Sequence, residues 1–539
     1  MLQFAIIIPA VKKNVAFADD LIKKLNGITL IQHAINKSKH LTNIQNIFVV
    51  TDSQGISLIC ERNEVKYFYQ QDLRLSEPDI IESLKTFLLS LKSSYNNFLI
   101  VFPYCPTLSH TTIQNAFIQF SQSDYDILLS VKEEKKRVYR EIQADVIELM
   151  SSDVQESFLT EIKGFLIFRS TLVEGEKRQL KIGKYLLDNE TVEIKNYQDW
   201  WICEKLLKKK RIVFRVIGYP EVGMGHIFRS LSLAHEITDH EVLFVCDEKS
   251  ALAVETIAVY DYIIKEFPSC TIEQEIINLK PDLVVNDILN TKKEYILRLK
   301  QKGIKTLNFE DLGPGASFTD LTINDLYEKN TAVSKNILWG PKFFFIREEF
   351  CNARKGRFRK EPRSVLLTFG GTDPSNIAFK VLNSLLSIFQ SSKIEVYIIL
   401  GEGYRFKNDL LEWIKKQGSP KINVSFAVDA ISGYMEKVDF AICANGRTVF
   451  ELAHMRIPAL VFSQNERELE HSFASPKNGF IHLGFCNESS ILQLQHFCQR
   501  LISEPDFRKE LKDRMKRHNF INRRKRIVSL INQLLESSK

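Results

Sequence analysis

Ile212-Val213-Phe214-Arg215-Val216-Ile217 leads into a loop that ends Gly223-Met224-Gly225-His226, and then into Ile227-Phe228-Arg229-Ser230-Leu231. The β-branched opening predicts a buried strand, and the apolar positions Ile227, Leu231, Ala234 and Ile237 recur at helical spacing. Strand, glycine-bearing loop and helix in that order form the repeating unit of a parallel α/β sheet. The glycines let the backbone approach a ligand closely, and the helix start offers unpaired N–H groups to an anion. His226 stands at the carboxyl end of the strand, where an imidazole can move protons near neutral pH. A turn with an incidental histidine reads the same way, so this loop decides the fold before it decides the chemistry.

The same grammar recurs twice. Val365–Phe369 reads as a strand, followed by Gly370-Gly371-Thr372-Asp373-Pro374-Ser375-Asn376 and a helix with Ile377, Val381, Leu382, Leu385 and Leu386 on one face. Asp373 is expected as N-cap with Pro374 as the first helical residue. Gly-Gly-Thr before them supplies open amides and a hydroxyl, which suit a pyrophosphate. Phe440–Cys443 then feeds Ala444-Asn445-Gly446-Arg447-Thr448 and a helix carrying Glu451 about one turn in. That carboxylate can accept both hydroxyls of a ribose, or merely offset the helix dipole. Ser463, Gln464 and Asn465 add polar groups after the next strand, Ala459–Phe462.

Outward from these loops, short β-branched runs alternate with amphipathic stretches along the whole chain. Phe4–Ile8, Ile47–Thr51, Phe98–Phe102 and Ile127–Val131 precede the first loop; Val242–Cys246, Leu283–Val285 and Val396–Leu400 follow it. Parallel sheets covered on both faces are expected throughout. The run Lys208-Lys209-Lys210-Arg211 reads as a solvated helix end and linker, after which a new strand begins. The domains expected are 1–207, 212–350, 364–490 and a basic helical tail, 491–539, packing back across the two preceding lobes.

The 539 residues are 44% hydrophobic and 26% charged, as in packed globular proteins. A net charge of +7 over this length is no footprint for nucleic acid. No apolar run reaches the roughly 18–20 residues that span a bilayer, and Leu2–Val11 reads as a strand rather than a signal peptide. Nine scattered cysteines with no C-x-x-C spacing argue against a disulfide framework or zinc cage and for a reducing, cytoplasmic setting.

Taken in order, Gly223-Met224-Gly225-His226…Arg229, Phe369-Gly370-Gly371-Thr372-Asp373-Pro374 and Ala444-Asn445-Gly446…Glu451-Leu452-Ala453 resemble the UDP-sugar hydrolase of pseudaminic acid biosynthesis, a family that includes spore-coat polysaccharide proteins. Asp282–Asp287, Trp339-Gly340-Pro341 and Arg347-Glu348-Glu349-Phe350 fit the same pattern, which covers about Ile212 to Phe485. The resemblance implies a two-lobed GT-B fold, similar to that of the peptidoglycan UDP-GlcNAc transferase. It also implies metal-independent hydrolysis of UDP-2,4-diacetamido-2,4,6-trideoxy-β-L-altropyranose to UDP and free sugar. His226 would activate water, amides around Gly225, Gly370 and Gly371 would hold the diphosphate, and Glu451 would take the ribose. Gly223, Arg229, Asp287, Thr372, Asn445, Gly446, Thr448 and Asn465 complete the implied substrate-binding set. Asn465-Glu466 stands where the family has Asn-Gln, and Glu310-Asp311 where it has two aspartates; these departures bear on the sugar more than on the fold.

Phe4–Ala10, Leu25-Asn26-Gly27 and Val49-Val50-Thr51-Asp52-Ser53, with Pro103, Pro106-Thr107 and Asp126–Val131, are similar to the CMP-sialic acid synthetase family over roughly residues 1–205. That resemblance implies a Rossmann-like nucleotidyltransferase domain using CTP or a CMP-sugar, with Mg²⁺ only if active. Here Val11-Lys12-Lys13-Asn14-Val15 replaces a glycine-rich triphosphate loop, Asp19-Asp20 replace basic residues, and Glu193-Ile194-Lys195 replaces an Asp-x-Asp metal pair. A diverged domain without ordinary cytidylyl transfer is expected. The alternatives are an active CMP-nonulosonate synthetase here, a GT-B glycosyltransferase in the C-terminal part, and a non-catalytic sugar-nucleotide binding or scaffold protein, which the losses at Val11 and Lys195 favour for the N-terminal part and His226 and Glu451 oppose for the C-terminal part.

Overall fold

In Phe4–Ala10 the side chains alternate between two cores, Phe4, Ile6 and Ile8 facing one and Ala5 and Ile7 the other. A strand buried on both faces must lie inside a sheet with layers above and below. The computed structural model bears this out for the first of two compact units, Met1–Lys209 and Lys210–Lys539. It describes all residues except 1–3, 12–18, 72–74, 76–79, 136, 138, 144–145, 150–156, 175–178, 220–221, 329–333, 418–420 and 537–539. The loop Lys12–Val15 therefore lies outside the described residues.

The sheet of the first unit runs in the order Ile182–Leu186, Ile127–Glu134, Phe158–Arg169, Asn97–Val101, Phe4–Ala10, Ile47–Thr51, Lys66–Tyr69. It is not wholly parallel: Phe158–Arg169 runs antiparallel to both of its neighbours. Alternation of apolar residues sets burial but carries no direction, so this reversal was invisible to the pattern of the sequence.

Each half of the second unit is a parallel α/β lobe. The first orders its strands Ile263–Phe267, Glu241–Asp247, Arg211–Val216, Leu283–Asp287, Lys305–Phe309, Leu321–Asn324, Ile337–Trp339. The second orders them Ile422–Phe426, Glu395–Leu400, Ser364–Thr368, Phe440–Ala444, Ala459–Ser463, Phe480–Phe485. In both lobes the chain works outward in one direction from its first strand, then returns to build on the other side. The strand order therefore reverses between Arg211–Val216 and Leu283–Asp287, and again between Ser364–Thr368 and Phe440–Ala444. Such switch points open a crevice at the carboxyl ends of the strands, and all three glycine loops lie there.

The tail joins both lobes. Leu494, Cys498, Leu501 and Leu511 enter the core around Val365 and Leu367, whereas Ile527 and Ile531 of the helix Arg523–Glu536 enter the core around Ile212 and Phe214. All nine cysteines are unpaired, and among the described residues no helix is long and apolar enough to cross a membrane.

Candidate functional site

At the first switch point Gly223 takes φ +81°, a conformation L side chains avoid, and the helix Gly225–Ala234 starts two residues later. His226 is thereby delivered beside the end of Leu283–Asp287, because Val216 and Asp287 are registered neighbours. The imidazole Nδ1 is hydrogen-bonded to Asp287 Oδ1. Arg229, one turn on, donates through Nε to Asp287 Oδ2 at 2.8 Å and through Nη2 to Oδ1 at 2.5 Å, and Ser230 Oγ adds a third donor at 3.1 Å. Arg229 Nη1 reaches Glu310 and lies 3.5 Å from Asp325. Its guanidinium is stacked on Phe309, 4.9 Å from the ring centre.

Three carboxylates are thus gathered around one buried arginine. A second arginine comes from the other lobe: Arg447 Nη1 is 3.0 Å from Asp325 and 3.8 Å from Glu310. Burial by itself would raise the pKa of Asp287, but the Arg229 charge, with the hydrogen bonds from Arg229 and His226, outweighs it and holds the carboxyl well below the usual range. The same opposition, again with Arg229 the main counter-charge, lowers Glu310. With an ionised Asp287 accepting at Nδ1, the neutral imidazole keeps its lone pair on Nε2, which is the arrangement of a general base held by a carboxylate.

Arg229 and Asp287, expected among the substrate-binding residues, lie inside this cluster. They are 1% and 0% exposed, with their polar atoms turned into the cluster. Both contact the His226 imidazole, Asp287 by its carboxylate and Arg229 by Nη2 at 3.2 Å from Nδ1.

The three glycine loops converge. Gly371 is packed against the Met224 side chain, a Cβ on Gly225 would lie 3.5 Å from Arg447 Cδ, and one on Gly370 would lie 4.0 Å from Gln464 Nε2. Gly370, at φ +79°, needs glycine for its conformation. Thr372 is buried beside it. Asp373 is not the N-cap: the helix begins at Ile377 after Asn376, and Pro374 precedes it. Asp373 instead takes a left-handed φ of +38° and its two oxygens accept from the N–H groups of Ile377 and Ala378, each at 2.8 Å. One extra turn of loop therefore separates Gly370-Gly371 from the helix.

In the third loop Asn445 is spent internally, its amide donating to the carbonyls of Glu468 at 2.7 Å and His471 at 3.2 Å. Thr448 is the first residue of its helix. Asn465 caps the short helix Glu466–Leu469 by accepting from Glu468 N at 2.9 Å. A carboxylate was not foreseen here: Glu468 accepts from Gln464 N at 2.8 Å, a Cβ on Gly446 would lie 3.9 Å from it, and burial pushes its pKa up to about 7. Glu451 is paired with Arg347, Nε to Oε1 at 2.9 Å and Nη2 to Oε2 at 3.2 Å. Each oxygen retains a second lone pair, so a ribose would share the carboxylate with Arg347 rather than have it alone.

Sequence reasoning missed Asp325 and the part Arg447 plays beside it in the charged cluster. One signal was available: the same Asn-Asp pair stands at the end of two strands, Asn286-Asp287 inside the first and Asn324-Asp325 straddling the end of the second. In both, the asparagine turns into a buried hydrogen bond, Asn286 to Asn308 at 2.8 Å and Asn324 to the Asp311 carbonyl at 3.1 Å.

In the first unit, the residues at the implied metal position do not fit a divalent cation. Lys195 Nζ lies 3.3 Å from Glu193 Oε2, which also accepts from Lys163 N at 3.3 Å. The ammonium already occupies the place of a counter-ion.

No protein-family model matches the chain. The chain is 28% identical over 299 residues to an uncharacterized protein of Methanocaldococcus jannaschii, covering 52% of this chain and 61% of that one. It is 27% identical over 279 residues to the spore coat polysaccharide biosynthesis protein SpsG of Bacillus subtilis, covering 49% and 79%. It is 28% identical over 187 residues to the UDP-2,4-diacetamido-2,4,6-trideoxy-β-L-altropyranose hydrolase of Campylobacter jejuni, covering 32% and 65%. The chain thus spans less than two thirds of two of these three relatives. Among solved structures, Acinetobacter baumannii MurG matches with a TM-score of 0.44 at 13% identity, over 60% of this chain and 99% of that one. A CMP-2-keto-3-deoxy-manno-octonic acid synthetase complexed with CTP matches with 0.31 at 9% identity, over 38% and 98%.

Proposed function

We propose that Lys210–Lys539 hydrolyses a UDP-linked amino sugar to UDP and the free sugar, in the making of a nonulosonic acid of the pseudaminic type. The observation that carries this reading is the Asp287–His226 pair, set at a switch point beside three glycine turns. His226 Nε2 takes a proton from water as the water oxygen bonds to the anomeric carbon. The bond from that carbon to the diphosphate oxygen breaks, and UDP leaves with its charge spread over phosphate oxygens. Amides at Gly225, Gly370 and Gly371 would stabilise that charge where it develops, Thr372 would add a hydroxyl, and Glu451 with Arg347 would hold the ribose. The name of the Campylobacter jejuni relative makes the diacetamido-trideoxy sugar the first substrate to try.

Transfer of the sugar to a hydroxyl acceptor is the second reading. It is favoured by a cavity of about 630 Å³ at the carboxyl edge of the first lobe, lined in part by Arg215, Tyr219, Asp247 and Asn290. That is room for a second molecule. For Met1–Lys209 the reading is a cytidylyltransferase-like domain that binds CTP or a CMP-sugar without metal-dependent transfer. Incubation of the full chain with UDP-2,4-diacetamido sugars in ¹⁸O-labelled water separates these readings. Hydrolysis releases UDP and a sugar labelled at the anomeric carbon. An absence of UDP release from every UDP-amino sugar rules hydrolysis out, and release that needs an added alcohol supports transfer.

A further inference from the structure

Next to the third glycine loop the second lobe holds buried acceptors that no donor meets. His471 is 8% exposed, and its Nδ1 donates to the Asn445 carbonyl at 2.6 Å. A ring pinned in that way carries its lone pair on Nε2, and Nε2 has no hydrogen-bond partner. Burial also lowers the pKa of His471, against a weaker pull from Glu310, which favours this neutral form. Gln464 Oε1 is orphaned in the same way, its Nε2 donating to the Phe369 carbonyl at 3.1 Å. Glu468 lies between them in the chain and is tied to both, to Gln464 N by its carboxylate and to His471 through the shared Asn445 amide.

Buried polar atoms in folded proteins are nearly always satisfied, and an exception asks for a cause. This knot is rich in acceptors, so it is not built for a diphosphate, whose oxygens also accept. The donor-bearing parts of a sugar nucleotide are its ribose, its base N–H and its glycosyl ring, and in the reading above the ribose belongs to Glu451. Resting on the reading that Lys210–Lys539 binds a UDP-sugar, we infer that His471 is a specificity-determining residue, accepting at Nε2 a hydroxyl or amide N–H of the glycosyl ring, with Gln464 Oε1 as a second open acceptor. The unit then selects hydroxylated or N-acylated hexopyranosyl groups over sugars with no donor at that position. The Tyr327 ring packs edge-on to His471 at 4.9 Å and its hydroxyl accepts from Arg467 at 2.7 Å, so first-lobe and second-lobe residues meet over the knot.

Calorimetric titration of the full chain with UDP and with UDP-GlcNAc tests this. His471→Phe should bind UDP-GlcNAc about tenfold more weakly than wild type, as for one lost hydrogen bond to a buried acceptor, with UDP binding changed less than about twofold. In wild type, the His471 Nε2 ¹⁵N resonance should move on adding UDP-GlcNAc and stay in place with UDP, a readout that needs no variant to fold. Equal losses for both ligands, no loss for either, or an Nε2 resonance indifferent to UDP-GlcNAc would each overturn the inference while leaving UDP binding intact as a fact. A wild-type chain that binds neither ligand overturns the underlying reading as well.

Discussion

Two carboxylate–cation contacts, one in each unit, differ in almost everything but sign. In the first unit Lys195 approaches Glu193 at 3.3 Å with its side chain 56% exposed; in the second Arg229 and Asp287 are wholly buried. A pair whose cation stands more than half in water is screened and is worth little. A buried group of carboxylates survives only if each is met by a cation or a donor. Asp287, Glu310 and Asp325 are so met, by Arg229, Arg447, Ser230 and His226. Charge in the second unit is therefore fixed by contacts within the fold, the condition that electrostatic catalysis requires. In the first unit the opposite charges have merely cancelled.

The largest effect expected is on that arrangement's one acid–base group. His226→Ala should lower turnover of the UDP-amino sugar by about 10²–10⁴-fold while UDP affinity stays near wild type, as for loss of a general base. Turnover and UDP titrations on the same preparation measure both. Unaltered turnover would remove His226 from the reaction and leave the cluster a structural feature only.

Next comes the cation at the centre. Arg229→Met leaves Asp287 and Glu310 buried without their main partner, and a broken buried pair costs about 3–5 kcal/mol. Urea unfolding of the second unit should report that loss. A change below about 1 kcal/mol would mean that the cluster is wetter than its burial indicates, and the contrast with Lys195 would collapse.

Much of this frame is legible in the sequence, for reasons that also mark the limits. The strand runs around Ile212, Val365 and Phe440 are short and mostly apolar, and each ends in a glycine turn before a helical period begins, so strand, loop and helix follow from local pattern alone. Direction is not local, which is why the reversed strand Phe158–Arg169 was not foreseen. Nor is partnership: Arg447 meets Asp325 across 122 residues of chain, and no spacing rule connects them. Asp373 misled because its carboxylate does cap a helix, but from a left-handed turn three residues before the ordinary N-cap. Glu451 was placed correctly on its helix; its Arg347 partner, 104 residues away, was not visible there.

A smaller effect concerns pH. Burial raises Glu468 from its ordinary value near 4.5 to about 7, so the folded state holds a proton that the unfolded chain releases. Its contribution to stability is complete below about pH 4.5 and is lost as pH rises through about 7. Glu468→Gln should flatten the fall in unfolding free energy between pH 5 and 8 by about 1–3 kcal/mol. An unchanged slope would place the carboxylate in water. Asp287 has the opposite sign: its lowered pKa adds stability at neutral pH that disappears only in acid, so the two groups are separable in one pH series.

The smallest effect is the one that fixes the other end of the comparison. Lys195→Met removes an ammonium that is more than half exposed, and the stability of the first unit should change by less than about 1 kcal/mol. What the substitution should alter is the local charge. Glu193, with only 7% of its side chain exposed, would keep the Lys163 N–H as a donor but lose its counter-ion. If the ammonium has displaced a divalent cation from this position, removing it should let Mg²⁺ raise the melting temperature of the variant and leave wild type indifferent. A wild-type chain that is already stabilised by Mg²⁺ through this position would show that Lys195 moves aside for the metal. The self-cancelled pair would then be a gate rather than a relic.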